Sequence, residues 1–159
     1  MDSQEVTIHG LKELQHALRQ LPKEIQGKVL TQSLRDGGKS MILDAKARAL
    51  KLNESQLPHH VGRGKELVQP GNIARNIMVR RVKSTESTAT VSIGVRAKGK
   101  GAGNAFYWRF FEFGTKFIPK KPFMRTAFEA KKMEVAEAIK VALGKRIEAA
   151  AAKLRVKTS

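Results

Sequence analysis

The chain has 159 residues, of which 41% are hydrophobic and 28% charged, and 31 Lys and Arg against 14 Asp and Glu give a formal net charge of +17. This composition is ordinary for one globular domain and argues against wholesale disorder. The absence of cysteine excludes a disulfide framework and any thiolate metal site. The first residues lack a basic region and an apolar run, and no 18-residue apolar stretch follows, so we expect no signal peptide and no membrane span.

The positive charge is concentrated in the middle of the chain. Residues 59–125 contain fourteen basic and three acidic residues, a local net charge of +11, whereas residues 1–58 carry +2 and residues 126–159 carry +4. Such a concentration favours a face held near a polyanion, most simply nucleic acid. The alternative is a solvated basic surface that keeps the protein soluble, and the charge alone does not decide between the two.

The N-terminal residues predict a short strand followed by a short helix. In residues 5–10, Val6 and Ile8 alternate with polar residues, which is typical of a strand. Four leucines then recur at the spacing of an amphipathic helix, namely Leu11, Leu14, Leu18 and Leu21. Pro22 ends this helix and suits the first turn of the next one.

A longer helix is predicted over residues 23–51. Its apolar residues keep a helical period, which Gly37 and Gly38 interrupt at a cost of about 1 kcal/mol each relative to alanine. Either the helix bends there or another backbone packs closely against it, and we predict one long, slightly broken helix. Residues 52–72 predict a loop that is functional or partly disordered, because it is longer than ordinary connections.

The remaining residues predict a hairpin and a C-terminal helix. Two β-like runs, 73–83 and 88–97, flank the turn sequence Ser-Thr-Glu-Ser. Residues 98–104, rich in glycine, are expected to be flexible and to project into solvent. Pro122 is placed to open a helix that runs to about Leu154, and residues 155–159 are expected to fray.

These elements predict an α+β fold, because strands and helices do not alternate as βαβ units. The expected architecture is a small antiparallel sheet with a β-hairpin packed against N-terminal helices and a long C-terminal helix. We predict a single domain over residues 1–159, with flexible loops at about 52–72 and 98–104.

No enzyme motif is complete. Gly38-Lys39-Ser40 resembles the end of a phosphate-binding loop, but Ser33 stands where that loop needs a glycine, and helix surrounds the site. His59 and His60 have no further ligand at metal-binding spacing, and no Gly-x-Ser-x-Gly sequence occurs. The middle region holds too few carboxylates for a glycosidase-like pair, namely Glu66, Glu86 and Glu112. We therefore predict no catalytic residue, no metal and no cofactor.

An aromatic segment with one acidic residue follows the glycine-rich stretch. "FYWRFFEFGT" starts at Phe106, and its lone Glu112 is more plausible as a buried ion-pair partner of Arg109 or Arg125 than as a base. Gly114 permits a turn, and two prolines stiffen the connection to the last helix. A chain this small cannot hide every ring, so we expect the rings to divide between the core and a partner subunit.

We call residues 106–125 the clasp. Its predicted structural and subunit-contact residues are Phe106, Tyr107, Trp108, Phe110, Phe111, Glu112, Phe113, Gly114, Thr115, Pro122, Phe123 and Arg125.

The clasp and the N-terminal region resemble a family of tailed-phage proteins. "YWRFFEFGT" followed by "PKKPFMRTAF" is similar to the family's signature, in which Glu-aromatic-Gly-Thr precedes Pro-Phe-aliphatic-Arg-x-Ala at the start of a C-terminal helix. "VTIHGLKELQHALRQLP" looks like its opening strand and leucine-repeat helix, and "GNIARNI" resembles its Gly-Asn-Leu-x-x-Ser-Ile segment. The family comprises siphophage neck and tail-completion proteins, similar in role to phage lambda's protein Z, and the resemblance covers about residues 4–135.

The resemblance implies a non-enzymatic virion protein that forms a ring, of six or twelve copies, at the head–tail junction. Its implied partners are further copies of itself, head-closure or connector proteins and tail-terminator or tail-tube proteins, with assembly in the host cytoplasm. Such a ring surrounds the DNA path, so we predict non-specific contact with the genome, with Arg96, Lys98 and Lys100 facing the DNA or an adjacent ring. The alternatives are a basic architectural protein that binds DNA in the cell and an antitoxin-like or chaperone-like interaction protein.

Overall fold

The protein is described by a computed structural model that covers residues 10–54, 57, 70–85, 88–97 and 105–158, without the side chains of 81–84 and 156–158. These residues form six helices and a two-stranded antiparallel sheet, so the predicted α+β class is confirmed. In chain order the elements are α1 (Leu11–Arg19), α2 (Lys23–Gly37), α3 (Lys39–Ala49), α4 (Asn72–Asn76), β1 (Ile77–Ser84), β2 (Ala89–Val95), α5 (Trp108–Phe113) and α6 (Met124–Thr158).

Several predictions fall outside the described residues. They are the strand at 5–10 apart from Gly10, the histidine pair His59 and His60, most of the loop at 52–72, and the glycine-rich segment 98–104. None of the described helices combines the length and the apolar character that a membrane crossing requires.

The chain divides into two compact units. The first comprises residues 1–40, 80–92 and 132–159, and the second comprises 41–79 and 93–131. Each unit has an apolar core of its own. The single domain expected over 1–159 stays a prediction.

In the first unit, the second half of the predicted leucine stripe is buried in the core, whereas Leu11 is exposed. Leu18 and Leu21 are buried together with Val29 of α2 and with Leu143 and Ile147 of α6. Pro22 is the N-cap residue of α2, one position before the first turn, in which the sequence analysis placed it. The periodic apolar side chains of three helices thus bury one another's faces.

Two helices replace the one long, slightly broken helix predicted over 23–51, and they are interrupted at the predicted glycines, Gly37 and Gly38. Helix α2 ends at Gly37, and α3 begins at Lys39. A Cβ atom on Gly37 would lie 2.2 Å from Cγ1 and 2.9 Å from the backbone nitrogen of Ile139 in α6. The glycine therefore permits α6 to approach the end of α2 more closely than any side chain would allow.

Asp36 joins α2 to α6 through a charged cluster. Arg146 donates from Nε to Oδ2 of Asp36 over 3.2 Å, its Nη2 donates to the same oxygen, and Nη1 donates to Gln32 over 2.8 Å. The ammonium of Lys39 lies 2.7 Å from Oδ1 of Asp36. The hydrogen bonds from Arg146 and then Lys39 hold the pKa of Asp36 below its ordinary value of 3.8.

Asp36→Asn is expected to lower the free energy of unfolding by about 1 kcal/mol at pH 6, because two cations lose a partly exposed anion. A lowered folded-state pKa stabilises the protein above pH 3.8, and this contribution disappears as the pH falls through the folded value. The difference between wild type and variant should therefore shrink below pH 3.8 in urea-unfolding curves. Asp44→Asn, which breaks an i,i+4 pair with Arg48 inside α3, is the matched control and should cost no more than about 0.5 kcal/mol.

In the second unit, the strand predicted over 73–83 is wrong at its start. Residues 72–76 form α4, and β1 begins only at Ile77. Ile73, Ala74 and Ile77 are buried on one side, at helical rather than strand spacing. The Asn76 side chain also donates to the backbone oxygen of Asn72 over 2.9 Å, a local bond between residues four apart that fits a helical turn. Strand β2 falls within the predicted run 88–97.

Helix α6 begins two residues after Pro122 and extends to Thr158, four residues beyond the predicted end at Leu154. The short helix α5 inside the aromatic segment was not predicted. Both helices bound the connection that forms the centre of the clasp.

Candidate subunit interface

All nine aromatic residues of the chain lie between positions 106 and 128. Three rings are buried in the core of the second unit, those of Tyr107, Phe111 and Phe123. Trp108 is partly buried and meets Phe123 edge to face, with ring centroids 6.4 Å apart. Four other rings are exposed, those of Phe106, Phe113, Phe117 and Phe128.

Glu112 fastens α5 to the start of α6. Its side chain is only 5% exposed, and its two carboxylate oxygens accept three backbone hydrogen bonds of 2.9 Å each. The donors are the N–H groups of Phe123, directly before α6, and of Met124 and Arg125 in its first turn, which have no acceptor within the helix. A carboxylate at this end of a helix is also favoured by the helix dipole.

This arrangement corrects the predicted ion pair of Glu112 with Arg109 or Arg125. Among the described residues, the bonds to Glu112 come from backbone nitrogen atoms, one of them that of Arg125. The guanidinium of Arg109 instead lies 6.0 Å from the ring centroid of Trp108. The buried charge is therefore satisfied without a cationic side chain.

The turn between α5 and α6 is fixed by Gly114 and Thr115. Gly114 has φ 77°, and a Cβ atom there would lie 3.1 Å from Cβ and 3.2 Å from the nitrogen of Lys120. The hydroxyl of Thr115 accepts hydrogen bonds from the N–H groups of Phe117 (3.2 Å) and Ile118 (3.0 Å). The backbone N–H of Thr115 in turn donates to the carbonyl oxygen of Ile118 over 2.9 Å. The Glu-Phe-Gly-Thr motif thus builds a rigid connection, and three of its four residues have a structural explanation.

Two rings at or next to this connection are largely exposed, although the Phe113 ring also contacts Trp108 at a tilt, with ring centroids 6.3 Å apart. Phe117 is 87% exposed and Phe113 is 61% exposed. Basic residues surround them in the sequence, and Lys116, Lys120 and Lys121 are all exposed. A large ring held in water by a well-bonded backbone is typical of a protein–protein contact.

Sequence reasoning missed a buried polar network that includes Tyr107 of the clasp. The Tyr107 hydroxyl donates to Oε2 of Glu54 over 2.9 Å and accepts from Nδ2 of Asn72 over 2.9 Å. Asn76 donates to the side chain of Asn72 over 3.0 Å, and Arg96 donates from Nε to Asn76 over 3.1 Å. The i,i+4 spacing of the two asparagines was the available signal for this network.

Glu54 is 1% exposed and has no cation bonded to it in the described part of the chain. Burial raises its pKa above the ordinary value of 4.5, although the bonds from Tyr107 and from backbone N–H groups act in the opposite direction. Burial likewise raises the pKa of Tyr107. Burying the Glu54 carboxylate costs free energy, and the hydrogen-bond donors of the network compensate that cost.

A comparison with known protein families identifies the family of this chain. The model of a family described as "Bacteriophage HK97-gp10, putative tail-component" matches residues 12–114. The chain belongs to this family. Membership makes the protein a bacteriophage tail component, a structural protein of the virion that acts with other phage structural proteins. No curated protein and no solved structure matches the chain.

The HK97-gp10-like match includes the polar network and the first half of the clasp. It runs from α1 to Gly114 and so contains Glu54, Asn72, Asn76, Tyr107 and Glu112. It ends before α6, and the Pro122–Arg125 half of the signature lies beyond it. The match therefore supports the broad resemblance to phage tail proteins, whereas the likeness to lambda protein Z stays a prediction.

The predicted clasp residues lie from Phe106 to the start of α6, and their role in subunit contact stays a prediction, as does the DNA-facing role of Arg96, Lys98 and Lys100. Arg96 lies directly after β2, exposed, and its Nε is bonded to Asn76, while Lys98 and Lys100 lie outside the described residues. Within residues 10–54, 57, 70–85, 88–97 and 105–158, no group of three His, Asp or Glu side chains could hold a metal ion.

Tyr107→Phe is expected to lower the free energy of unfolding by about 2 kcal/mol in the HK97-gp10-like protein. The change removes one hydroxyl and leaves two buried polar groups, Glu54 Oε2 and Asn72 Nδ2, without that partner. Urea unfolding measures the difference. Phe113→Leu, at an exposed position of the same segment, is the control and should change stability by less than about 0.5 kcal/mol.

Proposed function

We propose that the protein is a neck or tail-completion component that forms a ring at the head–tail junction of the virion. It acts as a structural protein and not as an enzyme, in keeping with its family. The ring contains six or twelve copies and contacts head-closure or connector proteins on one side and tail-terminator or tail-tube proteins on the other. The resemblance of the clasp to the neck-protein signature is the source of this finer assignment.

The observation that carries the proposal is the exposed pair of rings on the clasp. Glu112, Gly114 and Thr115 hold the backbone of this segment by hydrogen bonds and close contacts, yet Phe113 and Phe117 remain in water. Exposed phenyl rings cost free energy unless another surface covers them. A ring of identical subunits offers such a surface at every junction.

The positive charge of the middle region suits the same location. A protein that surrounds the exit path of a genome faces phosphate groups, and it needs cations but no base-reading side chains. We place Arg96, Lys98 and Lys100 on the DNA side of the ring or against an adjacent ring. Neutralising the two lysines should then weaken DNA retention in assembled particles without preventing subunit assembly.

Light scattering on the purified protein, at low and physiological salt, with and without duplex DNA, tests this function. The expected result is a discrete oligomer of six or twelve copies whose mass does not depend on DNA. A monomer or dimer that binds duplex DNA tightly and releases it as salt rises would contradict the proposal and identify a basic architectural protein instead.

A further inference from the structure

The exposed surface of the clasp carries positive charge that the described residues do not neutralise. Its five basic side chains are all exposed, namely Arg109, Lys116, Lys120, Lys121 and Arg125. Within the described part of the chain, none of the five forms an ion pair with a carboxylate. The one acidic residue of the clasp, Glu112, is buried and bonded to backbone nitrogen atoms. A surface that covers the clasp must therefore supply negative charge of its own.

The described carboxylates of this chain are poorly placed to supply that charge from a second copy. Asp36, Asp44 and Glu137 each pair with a cation of their own chain, and Glu54 and Glu112 are buried. The remaining acidic residues of the helices are spread over α1, α2 and α6. Each copy also has a net charge of +17, so two copies repel one another where a cationic surface approaches. A protein other than this chain is therefore the better source of the negative charge.

Phe117 stands within this cationic surface on a backbone that is already fixed. Its ring is 87% exposed, and its N–H group donates to the hydroxyl of Thr115 over 3.2 Å. The N–H group of Lys121 donates to the carbonyl oxygen of Phe111 over 2.7 Å and so closes the base of the loop. A partner therefore binds the ring without first ordering the backbone that carries it, which lowers the entropic cost of association.

A protein surface fits the clasp better than duplex DNA does. Phosphate groups would pair with the lysines, but a duplex covers a phenyl ring only where a base step opens, which costs free energy. An apolar pocket with carboxylates at its rim covers the ring and pairs with the lysines at the same time. One exposed ring with lysines on both sides of it in the sequence thus indicates an acidic protein partner.

We propose that Phe117 docks into an apolar pocket on a different protein of the virion, and that carboxylates around this pocket pair with Lys116, Lys120 and Lys121. Phe113 then serves the junction between copies, since no basic residue lies within two positions of it in the sequence. The inference rests on the proposed ring, and it identifies the chemistry of the neighbouring protein and the loop that contacts it.

Photo-cross-linking in assembled particles tests this contact directly. A benzophenone amino acid replaces Phe117, and the variant is supplied in trans to the encoding phage after its own coding sequence is interrupted. On illumination we expect a covalent adduct with a different virion protein, at an apolar segment flanked by Asp or Glu. The same amino acid in place of Phe113 is the matched control and should instead join two copies of this chain. An adduct from position 117 to a second copy or to DNA would overturn the inference, and so would the absence of any adduct from joined particles.

Charge reversal tests the role of the lysines. Lys120→Glu/Lys121→Glu should lower the yield of the adduct from position 117 by at least about tenfold, because like charges then face each other. Lys51→Glu/Lys153→Glu changes two exposed lysines outside the clasp and should change the yield by less than about twofold. Equal losses in the two double variants would contradict the inference, because net charge and not the clasp would then govern the contact.

Light scattering on the purified variants separates this contact from the ring itself. Phe117→Ala and Lys120→Glu/Lys121→Glu should form oligomers of wild-type mass, because neither changes the surface between copies. Their circular dichroism should be unchanged, since these side chains are exposed. A wild-type oligomer that dissociates in Phe117→Ala would overturn the contact with an acidic protein and leave the ring in place. A wild-type monomer whose position 117 still cross-links to an acidic protein would overturn the ring and leave the contact in place.

Discussion

Replacing Glu112 with alanine is expected to lower the free energy of unfolding by about 3 kcal/mol. The carboxylate accepts the N–H groups of three consecutive residues at the start of α6, and no other acceptor can reach them from the shortened side chain. A single helix cap contributes about 1 kcal/mol, and buried, charge-assisted bonds lie at or above that value. Urea unfolding followed by circular dichroism measures the loss.

Two further variants make this prediction specific. Glu112→Gln retains one acceptor oxygen and should lose about half as much stability, because its amide nitrogen faces a donor. Glu148→Ala, at an exposed position in the middle of α6, should change stability by less than about 0.5 kcal/mol. Equal effects at positions 112 and 148 would show that the carboxylate does not cap the helix.

Gly37→Ala is expected to destabilise the protein by about 3 kcal/mol, although alanine is the better helix former. The new methyl group would lie 2.2 Å from Cγ1 of Ile139 and 2.9 Å from its backbone nitrogen. The side chain can turn away, but the backbone of α6 must move, and such overpacking outweighs the gain of about 1 kcal/mol in helix propensity. Thermal or urea unfolding measures the sign of the change in the free energy of unfolding.

Gly144→Ala provides the matched control with the opposite sign. This glycine also lies inside a helix of the first unit, but a Cβ atom there would meet only Leu14 Cδ2, at an ordinary 3.6 Å. Helix propensity then determines the sign of the effect, and the variant should be more stable by about 0.5–1 kcal/mol. Stabilisation by both substitutions would contradict the close approach of α2 and α6.

The sequence predicted those elements whose apolar residues recur with one clear period. The leucine stripe of α1, the interruption at Gly37 and the extent of β2 all follow from local spacing and propensity. The start of β1 was predicted wrongly because the alternation of Ile77 and Val79 was extended back to residue 73, although Ile73, Ala74 and Ile77 have helical spacing. The helix is supported by burial against the core, which depends on the folded chain, and by the local bond from Asn76 to Asn72.

The partners within the candidate site were less predictable than its location. The aromatic segment and the turn at Gly114 could be identified from residue types alone. The capping of α6 by Glu112, eleven residues away from its first donor, depends on how the connection folds back. The same holds for Glu54, which meets Tyr107 across 53 positions and belongs to no local pattern.

The division of the rings into buried and exposed sets is the part of the clasp that bears on function. Tyr107, Phe111 and Phe123 stabilise the second unit, so substitutions there would test folding and not assembly. Phe113 and Phe117 contribute little to folding because they remain exposed. Variants at these two positions therefore separate a loss of assembly from a loss of structure.

The most direct test of a neck or tail-completion role is electron microscopy of particles produced by the encoding phage after this coding sequence is interrupted. We expect DNA-filled heads and separate tails to accumulate, and wild-type protein supplied in trans to restore joined, infectious particles. Phe117→Ala supplied in trans should restore them poorly. Normal yields of joined, infectious particles without the protein would contradict the account.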